Sequence, residues 1–434
     1  MQKLFSLARS STGRALSGAF AVSLIGKLAQ VMLSVLAARL LQPAGFGIFT
    51  FALGVGFLGG RMGGLGWPIL MNRLIPKYRI EKDWARMRSL VHAAHMVVAA
   101  GTVFGAIFCL GLAFWVGRDN ELFLALLLAA SLMPIMGFRS LYRNLLAALW
   151  VPQKGIMVDE LLPAVLMVLF LVCLLHTSLS PQVATIGYLL ASGIAVLAGA
   201  FWIWKKLPSQ LSTALTDYSN LRVWMSVALP ALIGLSSRLL MNRTDVLMLA
   251  PLGSVEDVGY YGAAMRITYV QTAAVVVLST VITARLSEAF AAGRERQGKR
   301  LLFLAFGFAL SISMPFGILL VSFDDWIISG LFGDSYLPGG PVLQILAISQ
   351  IGAAISIPAS SFMLMTGRQV RYGQITTLGL VANVLLNAIL IPQMGATGAA
   401  LATCTSILCL ATVQLVICAK IIRSRRYEEV RDRT

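Results

Sequence analysis

RLLMNRTD, residues 238–245, interrupts an apolar run that extends from about Val223 to Leu252. Two arginines, an asparagine and an aspartate stand where the flanking residues call for hydrocarbon, so their role depends on the solvent this run meets. Outward from the octapeptide, apolar runs of roughly twenty residues recur along the whole chain, each long enough to cross a hydrocarbon core about 30 Å thick. Twelve are present, at about 16–40, 46–69, 91–115, 121–141, 156–176, 182–204, 223–252, 260–284, 301–323, 339–363, 374–391 and 398–420. Hydrophobic residues make up 58% of the 434 and charged ones only 12%, too few to clothe a water-soluble protein of this length. The sequence therefore predicts an all-α polytopic membrane protein of about twelve transmembrane helices.

The net charge of +17 raises the question of an acidic partner such as nucleic acid, and its placement answers it. With the N-terminus set in the cytoplasm and the spans alternating, segments 1–14, 73–88, 139–154, 205–222, 285–300, 368–371 and 420–434 are cytoplasmic. They hold 28 of the 35 Lys and Arg, against Arg118 in an external loop and Arg39 at a span end. That bias is the positive-inside rule, so both termini are expected in the cytoplasm of a cell (inner) membrane and no nucleic-acid partner is expected. The first run is longer than the roughly 7–15-residue core of a secretory signal and has no small-residue cleavage site, so it is expected to remain as the first span. The five cysteines fall in spans with no CxxC pair, which makes them small core residues rather than disulfides or zinc ligands.

The chain also repeats. GFGIFTFA (45–52) follows the first span as GYYGAAMR (259–266) follows the seventh, and Arg73-Leu74 matches Arg285-Leu286 at an offset of 212. Six spans per half, an even number, give both halves one orientation, a plan in which transporters place substrate at the interface of the repeats. The expected division is an N-terminal six-helix lobe over 1–206, a cytoplasmic linker over 207–222, and a C-terminal six-helix lobe over 223–434 with a basic tail, the lobes surrounding a central cavity.

A cation at a helix centre costs about 2.5–3.5 kcal/mol on insertion scales, so Lys27 and Arg238, near the middles of spans one and seven, are expected to face a watery cavity. Ser23, Lys27, Gln30 and Ser34 recur at helical spacing and make one polar stripe; Arg238, Asn242 and Asp245 make another. Arg61, Arg243 and Arg266 are the remaining cations inside spans, and Asp245 reads as the one carboxylate well inside a span. Five cations against one anion predict a net-positive cavity suited to an anionic ligand. Lys27, Gln30, Arg61, Arg238, Asn242 and Arg266 are the candidate substrate-binding residues. Asp245, with Arg243, has two readings: a structural ion pair, or coupling to a proton or sodium gradient. In GVGFLGGRMGGLG (54–66), Gly56, Gly60 and Gly64 at four-residue spacing predict close helix packing. No phosphate-binding loop, nucleophile constellation or metal-ligand cluster occurs, so no catalytic residue, metal or cofactor is expected and the protein is not expected to be an enzyme.

LAARLLQPAGFGIFTFA (36–52), TDVLMLAPLGSVEDVGYYGAAMRI (244–267), MTGRQVRYGQ (365–374) and NVLLNAILIPQMGATGAALAT (383–403) together resemble the polysaccharide-flippase branch of the multidrug/oligosaccharidyl-lipid/polysaccharide exporter superfamily. The resemblance runs from about residue 16 to 420. It implies two six-helix lobes around a cavity open alternately to each side, and movement of undecaprenyl-pyrophosphate-linked oligosaccharide for surface polysaccharide assembly. It also implies membrane lipids, a glycan polymerase and other assembly proteins as partners. Twelve spans rather than fourteen set the chain apart from the lipid II branch. The alternative is a multidrug/cation antiporter of the same superfamily, which needs carboxylates to hold its organic cations.

Overall fold

A computed structural model describes residues 11–175, 179–213, 215–226, 228, 240, 241, 243–291 and 294–431, and among them there is no strand. The chain forms two compact units, Met1–Ser236 and Ser237–Thr434.

In the first unit, α1 (Ser11–Gly63) carries the first two apolar runs. Gln42, at φ 57° and ψ 171°, breaks it just before Pro43, which can begin a helix because it has no N–H to lose and a fixed helical φ. A second break, at Leu65 and Gly66 with φ of 46° and 78°, separates α1 from α2 (Trp67–Glu81). α3 (Trp84–Val116) starts on Asp83, whose carboxylate accepts the Arg86 N–H, and α4 (Glu121–Ala148) starts on Asn120, which accepts from Leu122. These are ordinary N-caps. α5 (Pro152–Cys173) and α6 (Pro181–Lys206) follow, then the short α7 (Gln210–Thr213). The basic stretch 73–88, expected as a loop, is thus a continuation of two helices around a turn at Lys82 and Asp83.

The glycines of α1 set how closely its neighbours approach. A Cβ on Gly60 would fall 2.6 Å from Met136 Cβ of α4, and one on Gly63 would fall 2.8 Å from the Thr102 nitrogen of α3. Trp67, Met71, Ile75, Leu90, Leu145 and Trp224 form a buried core at one end of the unit. Residues 217–225 are seated there. Trp224 Nε1 donates to Tyr78 Oη at 3.0 Å, the Asp217 N–H donates to Ser89 Oγ at 2.6 Å, and Tyr218 Oη lies 2.6 Å from His92 Nδ1. The Ser219 N–H and hydroxyl, with Arg86 beyond them, hold the Asp217 carboxyl below the usual carboxylate range.

The second unit contains α8 (Thr244–Leu252), α9 (Val255–Ala291), α10 (Glu295–Ser322), α11 (Asp324–Phe332), α12 (Gly340–Met365) and α13 (Gln369–Arg431). α13 carries the last two apolar runs, divided at Gly395 (φ 55°, ψ −131°). The Asp257 carboxylate stabilises that division by accepting the Ala396 N–H at 3.1 Å as well as the Ser254 hydroxyl at 2.8 Å. Gln271 binds α9 to its neighbours, its Nε2 donating to the Ser313 and Ala347 carbonyls at 2.8 and 3.1 Å.

Where they are described, the twelve apolar runs fall mainly on helix; the end of the fifth and much of the seventh lie outside the described residues. Among the described residues eight helices are long and apolar enough to cross a membrane, and α1 and α13, counted once each, hold two runs apiece. Their outward faces are greasy. On α6, Ile186, Leu190, Ile194, Leu197, Phe201 and Trp204 follow one another at helical spacing and all are exposed. A stripe of that length is intolerable in water and suits lipid. The chain is a multi-pass membrane protein.

Candidate functional site

Each unit buries a carboxylate, and the two are neutralised in opposite ways. In the first unit the cause is Pro163. It has no N–H to donate to the carbonyl four residues earlier, and its ring crowds that carbonyl. The residue concerned is Asp159. α5 accommodates the proline with one π turn over Met157–Leu161, in which the Leu162 N–H reaches back to the Met157 carbonyl. Such turns are rare and recur at functional sites. The Asp159 carbonyl takes its hydrogen bond instead from Arg139 Nη2 of α4. Arg139 is buried, and its Nη1 donates to Tyr188 Oη at 3.0 Å and Ser192 Oγ at 3.2 Å on α6.

The same turn brings two consecutive carboxylates to the arginines of neighbouring helices. Arg143 Nη1, on α4, lies 2.7 Å from Asp159 Oδ2 and 3.0 Å from Glu160 Oε1. Arg61 Nη2, on α1, lies 3.1 Å from the same Asp159 oxygen and rests over the Phe57 ring. Ser23 Oγ donates to Glu160 Oε2 at 3.1 Å. Three guanidinium groups against two carboxylates leave this centre one positive charge in excess. The side chains of Asp159 and Glu160 are 8% and 14% exposed, those of Arg61 and Arg143 21% and 36%, so these two arginines are the more exposed members of the centre.

In the second unit Asp245, in the first turn of α8, is held by neutral groups. Its Oδ2 accepts from Tyr261 Oη at 2.7 Å, and its Oδ1 accepts from Asn387 Nδ2 at 2.9 Å and, weakly, from Asn383 Nδ2 at 3.4 Å. Asn383 Nδ2 also approaches Thr403 Oγ1 at 3.3 Å. The Asn387 Oδ1 is buried without a donor among the described residues. Among the described residues no lysine or arginine pairs with Asp245. The positions follow from helical spacing: Asn383 and Asn387 lie four apart on one face of α13, opposite Tyr261 of α9.

Of the residues singled out in the sequence, Arg61 stands in the first centre and Asp245 in the second. Lys27 is exposed on α1, one turn beyond Ser23, and Gln30 is half-buried. Arg266, on α9, and Arg243, just before α8, are half-buried. Arg238 and Asn242 lie outside the described residues. Two readings are corrected. Asp245 is not the one carboxylate inside a span, because Asp159 and Glu160 also lie within a membrane-crossing helix. Arg139 and Arg143 do not belong to a cytoplasmic loop, because α4 continues to Ala148 and buries Arg139. The count of five cations to one anion therefore becomes seven to three. Tyr261, Asn383 and Asn387 were not legible as a site. The i, i+4 asparagine pair in an otherwise apolar segment is the signal that could have found them.

Comparison with known proteins places this arrangement. The profile of a family described as polysaccharide biosynthesis protein matches residues 17–290, and a second, MatE, matches 230–389. An uncharacterised membrane protein of Methanocaldococcus jannaschii is 24% identical over 226 residues, 51% of this chain, and the match spans only 44% of that relative's length. The fold is similar to that of a multidrug resistance MATE family transporter in an inward-facing conformation, with a TM-score of 0.77 at 14% identity over 95% of this chain and 99% of that one. It is equally similar to the lipid II flippase MurJ in an inward closed conformation, with a TM-score of 0.76 at 15% identity over 93% and 87%.

Proposed function

The chain belongs to the polysaccharide biosynthesis protein family, and from that membership we propose that it is a flippase that moves an undecaprenyl-pyrophosphate-linked oligosaccharide across the cytoplasmic membrane by alternating access, for surface polysaccharide assembly. The observation that carries the reading is the excess of guanidinium over carboxylate in the first unit's polar centre, with the exposed Lys27 one turn away on α1. A pyrophosphate is a compact multivalent anion, and arginine presents a planar fork of donors to such a group. Lys27, Gln30 and Arg61 of the first unit, and Arg238, Asn242 and Arg266 of the second, are the candidate residues for such contacts, and a glycan polymerase and other assembly proteins receive the product. The competing multidrug antiporter needs a carboxylate free to hold an organic cation. Asp159 faces three arginines and does not serve that purpose, which leaves Asp245 to that alternative.

Asp245 takes the coupling role in this reading. A buried carboxylate whose described partners are all neutral is costly as a bare charge. A proton or a sodium ion relieves that cost, and the Asn387 Oδ1 without a donor is a second oxygen suited to a hard cation.

The test is export of the lipid-linked glycan in cells carrying each variant at matched protein level. The Lys27→Gln, Arg238→Gln double substitution is expected to abolish export. Full export in that variant overturns the anionic-substrate reading and moves the antiporter to first place.

A further inference from the structure

The first unit's ionic centre is built as though it already contains its ligand. Arg143 engages both carboxylates through Nη1 alone, and among the described residues its Nη2 and Nε take no partner. This side chain is the most exposed member of the centre, at 36%. Arg61 beside it is 21% exposed, and both arginines share one oxygen of Asp159. An anion arriving from outside therefore meets guanidinium edges first, with the resident carboxylates behind them. The π turn fixes that order. Asp159 is anchored through its backbone carbonyl by Arg139, which is locked in turn by Tyr188 and Ser192. Glu160 is anchored only through its side chain, by Ser23 and Arg143. Asp159 is thus tied down at both its backbone and its side chain, whereas the Glu160 carboxylate is held by one serine and one arginine and is the more exposed of the two, at 14% against 8%.

We propose that Arg61 and Arg143 form a loading site for the diphosphate headgroup, and that Glu160 is a resident counter-anion that the headgroup displaces and that reclaims Arg143 on release. This rests on the reading of the substrate as a pyrophosphate-linked glycan. The site lies about 10 Å, some seven residues of helical rise, from the start of α5, at the end of the unit that the charge bias assigns to the cytoplasm. A headgroup attached on that side is captured there. Three guanidinium groups with no carboxylate would hold a multivalent anion too tightly to let it go, and two carboxylates reduce the excess to one charge. Glu160 thereby trades affinity for turnover.

The experiment measures binding of inorganic pyrophosphate to the purified full-length chain by calorimetry, with glycan export measured in cells at matched protein level. Glu160→Gln is expected to tighten pyrophosphate binding about tenfold while slowing export, and Arg143→Gln to weaken binding about tenfold, the scale on which single desolvated charges act in recognition. Unchanged or weaker binding in Glu160→Gln overturns the proposal, as does an undetectable response in both Glu160→Gln and the unaltered chain. If Glu160→Gln does not accumulate, Arg143→Gln decides alone, and binding equal to that of the unaltered chain overturns the site. Tightened binding by Glu160→Gln in a protein that exports no glycan would support the anion site and remove the flippase reading. Normal export with no change in binding would do the reverse.

Discussion

At the scale of single residues, Asp159 and Asp245 are the same side chain in two electrostatic settings, and they should respond to the same substitution in opposite ways. Asp159→Asn removes the anion that faces Arg61, Arg139 and Arg143, leaving a buried guanidinium without its counter-charge. Breaking a buried pair from one side costs about 3–5 kcal/mol, so the variant is expected to unfold at a markedly lower temperature in detergent and to accumulate poorly. Asp245→Asn keeps the shape and meets only neutral partners among the described residues, so it is expected to fold as well as the unaltered chain, with a midpoint shift of a few degrees at most, while its export loses dependence on the ion gradient. A thermal melt of each purified variant decides, and equal melting points would refute the contrast. Little of this was legible beforehand, for a physical reason. Hydropathy along the chain reports depth and not azimuth. The arginines that pair with Asp159 come from positions 98, 20 and 16 residues away, so no local window contains both charges. Arg139 and Arg143 were counted as loop cations because α4 outlasts its apolar run by two turns. Asp245 was visible because it stands alone in its run.

At the scale of elements, the apolar runs marked where helices cross but not where they end or bend. Runs of cationic residues read as loops, yet α2 and the start of α3 are helical, because Leu70, Met71, Ile75, Met87 and Leu90 provide a buried face while the arginines point out. The glycine motif of α1 was legible in part. Gly56 and Gly60 do face α4, but Gly64 lies at the break before α2, and Gly63, outside the four-residue spacing, makes the closer approach to α3. A graded response follows. Gly60→Ala sets a methyl 2.6 Å from Met136 Cβ and 2.8 Å from the Gly137 nitrogen, and Gly101→Ala drives one into the Gly63 carbonyl. Both meet atoms that cannot swing aside. Overpacking of this kind costs about 1–3 kcal/mol or more. Gly111→Ala meets nothing within 4 Å and Gly105→Ala only Met133 Sδ at 3.5 Å, so these two are expected to be neutral or slightly stabilising, since alanine is the better helix former. Melting temperatures of the four purified variants test the order, which fails if Gly111→Ala is as damaged as Gly60→Ala.

At the scale of the whole molecule, the charge bias predicts which ends of the helices face the cytoplasm, and the structure indicates where to ask. The loop around residues 253–259 is expected outside and the segment 285–300 inside, since 26 of 35 cations still fall in the segments assigned to one side once Arg139 and Arg143 are placed within α4. Ser254 is a poor reporter because its hydroxyl binds Asp257 at the start of α9, and loss of such a cap costs about 1 kcal/mol. Glu256 and Gln297 are exposed, so a cysteine at either should leave the fold intact. The background must lack Cys109, Cys173, Cys404, Cys409 and Cys418, which is feasible because all five are free thiols; Cys173 and Cys409 are exposed and would otherwise react. In intact cells a membrane-impermeant maleimide is expected to label Glu256→Cys and to reach Gln297→Cys only after the membrane is opened. The two positions lie on either side of the eighth run, so the pattern must be opposite if that run crosses the membrane. Labelling of Gln297→Cys with protection of Glu256→Cys would invert the topology and place the first unit's guanidinium centre at the external end. A headgroup supplied from the cytoplasm would then have no access to Arg61 and Arg143 without first crossing the membrane.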